Sequence, residues 1–455
     1  LFCNLRGIPL SISSPAPSLH GIRGACLDFI ADPFYVPEAE AVRYYPDGLL
    51  VIEAGKIKAF GPYADLEATY GNIPITAYPH QLITPGLIDT HIHFPQTEMI
   101  ASYGEQLLTW LNTYTFPTET QFADPDYCAK VADIFLDELI RNGTTTALVF
   151  ATVHPQSVNA FFTAAQHRNL RMITGKVLMD RHAPENLRDT PEQSYRESKA
   201  LIEKWHGCDR LRYAITPRFA ATSSPEQLKV AAQLLKEFPD VHVQTHIAEN
   251  LDEVAWVRSL FPEAESYLDV YDRVGLVGPR SLFAHGIHLS AAEFARLSVT
   301  EAAIAFCPTS NLFLGSGLFK IEQAKNPDQP VKVGLGTDVG AGTSFSLLQT
   351  GNEAYKVAQL RHQKLSGLQT LFLATLGGAR ALNLDEYIGN FEPGKEADLI
   401  ILDRHATPLM AFRNPIENPM SLEQLADQVF ALMILGDDRA IAATYILGEL
   451  AHQRK

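Results

Sequence analysis

Five polar side chains in this sequence stand where apolar runs end, and their types are those that hold a metal ion and activate water. His91-Ile92-His93 closes the run Ile88–His93. His246 lies near the end of Val241–Glu249, His285 lies within Ser281–Leu289, and Asp338 closes Val331–Asp338. Alternate residues of an extended strand share a face, so the imidazoles of His91 and His93 point the same way. Three neutral imidazoles and one carboxylate drawn from these five, leaving a position for water, match the donor set of a catalytic zinc site. Glu249, three residues after His246, can hold a proton beside the metal without being a ligand. An isolated histidine is more often packed or solvated than a ligand, and eleven of the fifteen histidines have no matching strand-end partner. The H-x-H pair alone would be weak; its coincidence with His246, His285 and Asp338 at four separate strand ends carries the reading.

Positioning these residues together requires a closed parallel sheet. Eight buried-type runs recur, separated by stretches of helical period: Ile88–His93, Thr144–Phe150, Met172–Asp180, Arg212–Phe219, Val241–Glu249, Ser281–Leu289, Ala303–Ser310 and Val331–Asp338. That alternation predicts parallel strands with crossover helices, and eight of them predict a (β/α)8 barrel whose active face is the carboxyl end of the strands. The barrel is expected over 85–385. The flanks read differently: 47–61 is a hairpin pattern around Ala54-Gly55, 389–403 is a Pro-Gly turn followed by a buried strand, and 442–450 is another strand. Residues 21–84 and 386–455 are expected to pair into a composite β-sandwich domain, with 1–20 as a loose tail. The fold class is α/β, a TIM-type barrel with a small β domain.

One metal is expected rather than two. A bridging carboxylate or carboxylated lysine at the end of the fourth strand would hold a second, and that strand ends Thr216-Pro217-Arg218-Phe219. Lys176 lies inside the third run and is poorly placed to bridge. Cys307 is read as a small buried hydrophobe rather than a soft ligand.

The 455 residues have 52 acidic against 37 basic side chains, a net charge of −15. Without a basic patch, that excess argues against nucleic acid or an anionic membrane surface as partner. No apolar run approaches the roughly 18 residues of a spanning helix. Five scattered cysteines with no C-x-x-C pair argue for reduced thiols and a cytoplasmic setting.

Pro85-Gly-Leu-Ile-Asp-Thr-His-Ile-His93 resembles the signature of the amidohydrolase superfamily, as do His246-Ile-Ala-Glu249, Ala284-His285-Gly286 and Gly336-Thr-Asp338. Glu392-Pro-Gly-Lys-Glu-Ala-Asp-Leu-Ile400 resembles the strand that returns that superfamily's C-terminal segment to its N-terminal β domain. Within the superfamily the chain is most similar to the guanine-deaminating branch, through His91-Ile-His-Phe-Pro-Gln96, Leu107–Pro117, Thr216-Pro-Arg-Phe219, Cys307-Pro-Thr-Ser-Asn311 and Gly336–Gly342. The resemblance covers the chain from about Gly21 onward. It implies one Zn2+ per chain held by His91, His93, His246 and Asp338. It further implies a neutral purine, guanine, read by Gln96, Arg218 and the main chain of Phe219, with His246, Glu249, His285 and Asp338 also against the substrate. Water is the co-substrate, Glu249, Asp338 and His285 are the catalytic groups, and a homodimer is implied.

Two other readings share parts of this pattern. Another mononuclear amidohydrolase, acting on cytosine, an adenosine derivative or a triazine, would keep the metal set and differ around Gln96 and Thr216–Phe219. A non-catalytic scaffold on the same fold would be expected to have lost ligands, and none is missing.

Overall fold

The computed structural model describes residues 19–415 and 419–455. The tail expected over 1–20 lies outside the described residues except for its last two, of which His20 opens the first strand. The N-terminal strands are β1 (His20–Phe29), β2 (Val42–Glu53), β3 (Lys56–Pro62) and β4 (Ile75–Pro85). The turn between β2 and β3 falls at Ala54-Gly55, both with positive φ, the backbone that a two-residue hairpin needs.

The chain then builds the barrel from β5 (Leu87–His93), β6 (Thr144–Phe150), β7 (Arg171–Gly175), β8 (Val177–Leu178), β9 (Arg212–Pro217), β10 (His242–Ile247), β11 (Ser281–His285), β12 (Ala303–Phe306) and β13 (Lys332–Leu335). Each of the eight apolar runs forms a strand, and the pairing is parallel in sequence order from β5 to β13. The third run is broken: β7 ends at Gly175, Lys176 stands out of the ladder, and β8 pairs separately with β9. Most runs end as strands earlier than their apolar pattern suggests, so Arg218, Glu249 and Asp338 lie one to three residues beyond β9, β10 and β13.

Helices cover the barrel. Pro125–Arg141 begins where Asp124 accepts a hydrogen bond from the Asp126 N–H, and it buries Val131, Phe135 and Leu139 among others at three- and four-residue spacing.

The chain returns through β14 (Leu399–Leu402), β15 (Ile441–Ile446) and β16 (Glu449–Gln453). The single strand expected over 442–450 is in fact a tight hairpin, because Leu447-Gly448 adopts positive φ and reverses the chain. These strands join the N-terminal ones in a seven-stranded sheet, β16-β15-β14-β4-β1-β2-β3. It has its own apolar cluster around Ile22, Ile52, Ile83 and Ile401. Two acids of the Glu392–Ile400 stretch fasten this sheet to the barrel. Glu396 accepts from Arg171 Nε at 2.8 Å and Arg210 Nε at 3.0 Å, and Asp398 pairs with Arg210. No helix among the described residues is long and apolar enough to cross a membrane.

Candidate active site

The barrel closes between its first and last strands by backbone hydrogen bonds, Asp338 N–H to His91 O and His93 N–H to Val339 O, each 2.9 Å. Gly336 permits this approach: a Cβ there would lie 2.9 Å from both His91 Cβ and Cys307 Sγ. Below the seam, Asp89 accepts from the N–H groups of His91 and Thr337 at 3.1 Å and from Thr337 Oγ1 at 2.5 Å. Asp338 and His285 then leave their strands with φ of 52° and 73°. For residues with a Cβ this left-handed backbone costs roughly 1–2 kcal/mol, a local strain of the kind that accumulates where function fixes side-chain direction.

Four donor atoms converge here. His91 Nε2 and His93 Nε2 are 3.2 Å apart, His93 Nε2 and His246 Nε2 3.3 Å, and Asp338 Oδ1 lies 3.2 and 3.3 Å from the first two. Metal–ligand bonds of about 2.0–2.1 Å in a tetrahedron separate donors by about 3.3–3.4 Å, and these four contacts have that spacing. His246 Nδ1 donates to Arg218 O at 2.7 Å, which fixes the tautomer with Nε2 facing the cluster. His91 and His93 have Nδ1 atoms without a hydrogen-bond partner among the described residues, and their rings pack on Phe150. Burial drives His93 down to about 3 and His246 well below the usual histidine range, keeping both neutral as ligands must be. Burial favours the neutral acid at Asp338, yet the facing His91, His93 and His285 hold it well below the usual carboxylate range. Two groups among the described residues are near enough to hold a metal, His91–His93–His246 and His91–His285–Asp338, and they share His91.

Glu249 and His285 stand beside it. His285 Nε2 is 3.5 Å from Glu249 Oε2 and 3.8 Å from Asp338 Oδ2. His285 Nδ1 meets Asn311 Oδ1 at 2.9 Å, so Nδ1 carries the proton and Nε2 presents its lone pair. Burial, then the Asp338 charge, push Glu249 up to about 8, so its carboxyl holds a proton at neutral pH. Ser316 Oγ donates to it at 3.3 Å, and Glu253 accepts from the Glu249 N–H at 2.8 Å.

A pocket opens over the cluster, walled by His93, His246, Glu249, His285 and Asp338. Gln96, Arg218 and Phe219 line it, as do Trp110 and Leu111. Phe116 does not line it; the ring packs under the Arg218 guanidinium at 5.6 Å. Phe219 O accepts from Thr222, and no described residue takes the Phe219 N–H. The site thus assembles every residue singled out in the sequence and leaves out the two controls. Lys176 is buried against Asp189 and Glu197, and Cys307 lies among the alanines of the barrel interior. Glu119 and Asn311 were not singled out. Glu119 is fully buried and accepts from Arg218 Nη1 at 2.8 and 2.9 Å and from Gln96 Nε2 at 3.3 Å. The only sequence sign of it is an acid two residues after the Leu107–Pro117 stretch.

The profile of the Amidohydrolase family matches residues 82–451. Guanine deaminase of Escherichia coli (strain K12) is 53% identical over 440 residues, spanning 96% of this chain and 98% of that protein. The solved structure of E. coli guanine deaminase superposes with a TM-score of 0.92, covering 96% of this chain and all of that one. A guanine deaminase from C. acetobutylicum, solved with guanine bound in its active site, is 29% identical with a TM-score of 0.85, over 95% of this chain and all of that one.

Proposed function

The chain belongs to the amidohydrolase family, and from that premise we propose that it deaminates guanine with water, giving xanthine and ammonia, at a single zinc ion. It is a hydrolase acting on a C–N bond. The observation that carries the chemistry is the convergence of four donor atoms within 3.2–3.3 Å contacts beside the protonated Glu249. The full-length likeness to guanine deaminases supports the choice of base. A set of three imidazoles and one carboxylate favours zinc, with His91, His93, His246 and Asp338 as its holders.

When bound, the metal supplies the Lewis acidity that makes water a nucleophile near neutral pH. Asp338, held ionised, accepts the proton of the attacking water. His285 accepts a hydrogen bond at Nε2 from that water and steadies the tetrahedral carbon that follows. Glu249 delivers its proton to the ring nitrogen next to C2, the attacked carbon. Once the C2–O bond has formed, the proton taken by Asp338 passes through Glu249 to the exocyclic amine, the C2–N bond breaks to release ammonia, and the proton shed by the C2 hydroxyl as it becomes a carbonyl restores Glu249. Gln96, the Arg218 guanidinium and the Phe219 N–H face the donors and acceptors of the purine edge.

In this reading 85–385 is the catalytic barrel, and 21–84 with 386–455 is the β domain fastened to it. Among the described residues Cys26, Cys128 and Cys307 are unpaired thiols, which suits a reducing, cytoplasmic setting. A homodimer belongs to the same reading and is tested by sedimentation. The activity is tested by scoring a panel of purines and pyrimidines for ammonia release.

A further inference from the structure

The two side chains proposed to read the purine edge are tied to one carboxylate. Glu119 lies on the short helix Phe116–Thr120 and is fully buried. Its Oε1 and Oε2 both accept from Arg218 Nη1, at 2.9 and 2.8 Å, and Oε1 also accepts from Gln96 Nε2 at 3.3 Å. Gln96 Oε1 in turn accepts from the Gly340 N–H at 3.3 Å. Among the described residues, the Arg218 side chain makes its hydrogen bonds to Glu119 alone, through one terminal nitrogen, and that leaves the rest of its planar fork for the cavity it lines. The Glu119 carboxylate therefore does two things. It holds both reading groups in one orientation, and it cancels the guanidinium charge in a place where water cannot screen it.

Resting on the reading of this site as a guanine-deaminating one, we propose that Glu119 is a positioning residue that makes the purine-reading edge electrically neutral, so that the pocket selects the neutral base and discriminates against the anion of its own product. Xanthine gains a ring N–H at N3 beside the new C2 carbonyl, places its N1–H between two carbonyls, and is a stronger acid than guanine. An Arg218 without a counter-charge would hold the xanthine anion by a charge-assisted pair and slow its release. With Glu119 present that gain is absent, and loss of the xanthine proton weakens its hold. The other titratable groups on the cavity are Glu249 and Glu253 after β10, Asp338 after β13, and His93, His246 and His285. They are common to wild type and to a Glu119 variant, so the comparison between the two isolates Glu119.

The test uses metal-loaded enzyme, wild type against Glu119→Gln, with inhibition by added xanthine measured across the pH range in which xanthine ionises and guanine stays neutral. The ratio of wild-type to variant xanthine inhibition constants is expected to rise by tenfold or more as the xanthine proton is lost. The corresponding ratio of KM values for guanine should stay flat, and metal content should be unchanged. Glu119→Asp, which keeps the charge, should retain the wild-type pH trend for xanthine with a reduced kcat/KM. A xanthine ratio that does not change with pH overturns the proposal. Where Glu119→Gln does not fold, direct xanthine binding to the unaltered enzyme decides: binding must weaken on ionisation, and an anion bound as tightly as the neutral form, or more tightly, overturns it. A wild type that neither binds xanthine nor releases ammonia from guanine refutes the functional reading itself, an outcome distinct from a flat xanthine ratio in an active enzyme.

Discussion

His91 and Asp338 meet twice across the seam of the barrel, once through the Asp338 N–H on His91 O at 2.9 Å and once through Nε2 and Oδ1 at 3.2 Å. The first contact closes the sheet and the second belongs to the cluster of donor atoms. Folding of the last strand therefore completes the donor set, and the ion in turn is expected to stabilise the closed barrel.

The metal content follows from that cluster. Purified enzyme should hold about one zinc per chain by elemental analysis, as a set of three imidazoles and one carboxylate implies. His246→Ala should lose metal and activity together, and chelation should lower the thermal midpoint of the wild type. Two tightly held ions per chain would contradict the arrangement described.

Glu249 separates proton handling from metal binding. Its carboxylate is aimed at His285 and Ser316 rather than into the donor cluster. Glu249→Gln should keep its zinc and lose turnover by a factor on the order of 10² or more, the scale of general acid–base catalysis. Loss of the metal in this variant would make Glu249 a ligand instead.

Arg218 carries both recognition and stability. Arg218→Ala should lower kcat/KM by about tenfold to a hundredfold, corresponding to roughly 1.5–3 kcal/mol for a charge-assisted hydrogen bond to substrate. The same change leaves Glu119 buried without its partner, and breaking a buried pair costs about 3–5 kcal/mol. Denaturant unfolding should register that loss while metal content stays constant.

The eight barrel strands were legible because strands buried on both faces read as continuous apolar runs. Their carboxyl ends were not, since Arg218, Glu249 and Asp338 follow on from those runs without a change of pattern and only the hydrogen-bonded ladder shows where pairing stops. Lys176 stands out of the ladder beside Asp189 and Glu197, partners that follow it in the chain and that its apolar run does not announce. The histidines of the donor cluster stood out because a histidine at the end of an apolar run is unusual. Glu119 did not, because its partner Arg218 is 99 positions away and an acid in a helical stretch is ordinary. The 442–450 segment reads as one strand because Leu447-Gly448 lacks the Asn-Gly or Asp-Gly pair that signals a two-residue reversal.

Acid sensitivity should have a source away from the active face. His242 at the start of β10 is fully buried, donates to Leu382 O at 2.8 Å, and is driven by burial down to about 3. Between that value and the unfolded histidine range near 6.5, the unfolded chain binds a proton that the folded chain refuses. Stability from this residue is therefore fully present above about pH 6.5 and falls as pH drops, approaching about 1.4 kcal/mol per pH unit. Denaturant unfolding at pH 7.5 and 5.5 should show a smaller loss for His242→Gln, whose amide can donate to Leu382 O, than for wild type. Equal losses would exclude this source.

The central claim is the reaction, and ammonia release from free bases by zinc-loaded wild type tests it most directly. Guanine should yield equimolar ammonia and xanthine, with little release from cytosine or adenosine; an enzyme that leaves guanine untouched while deaminating another base would contradict it.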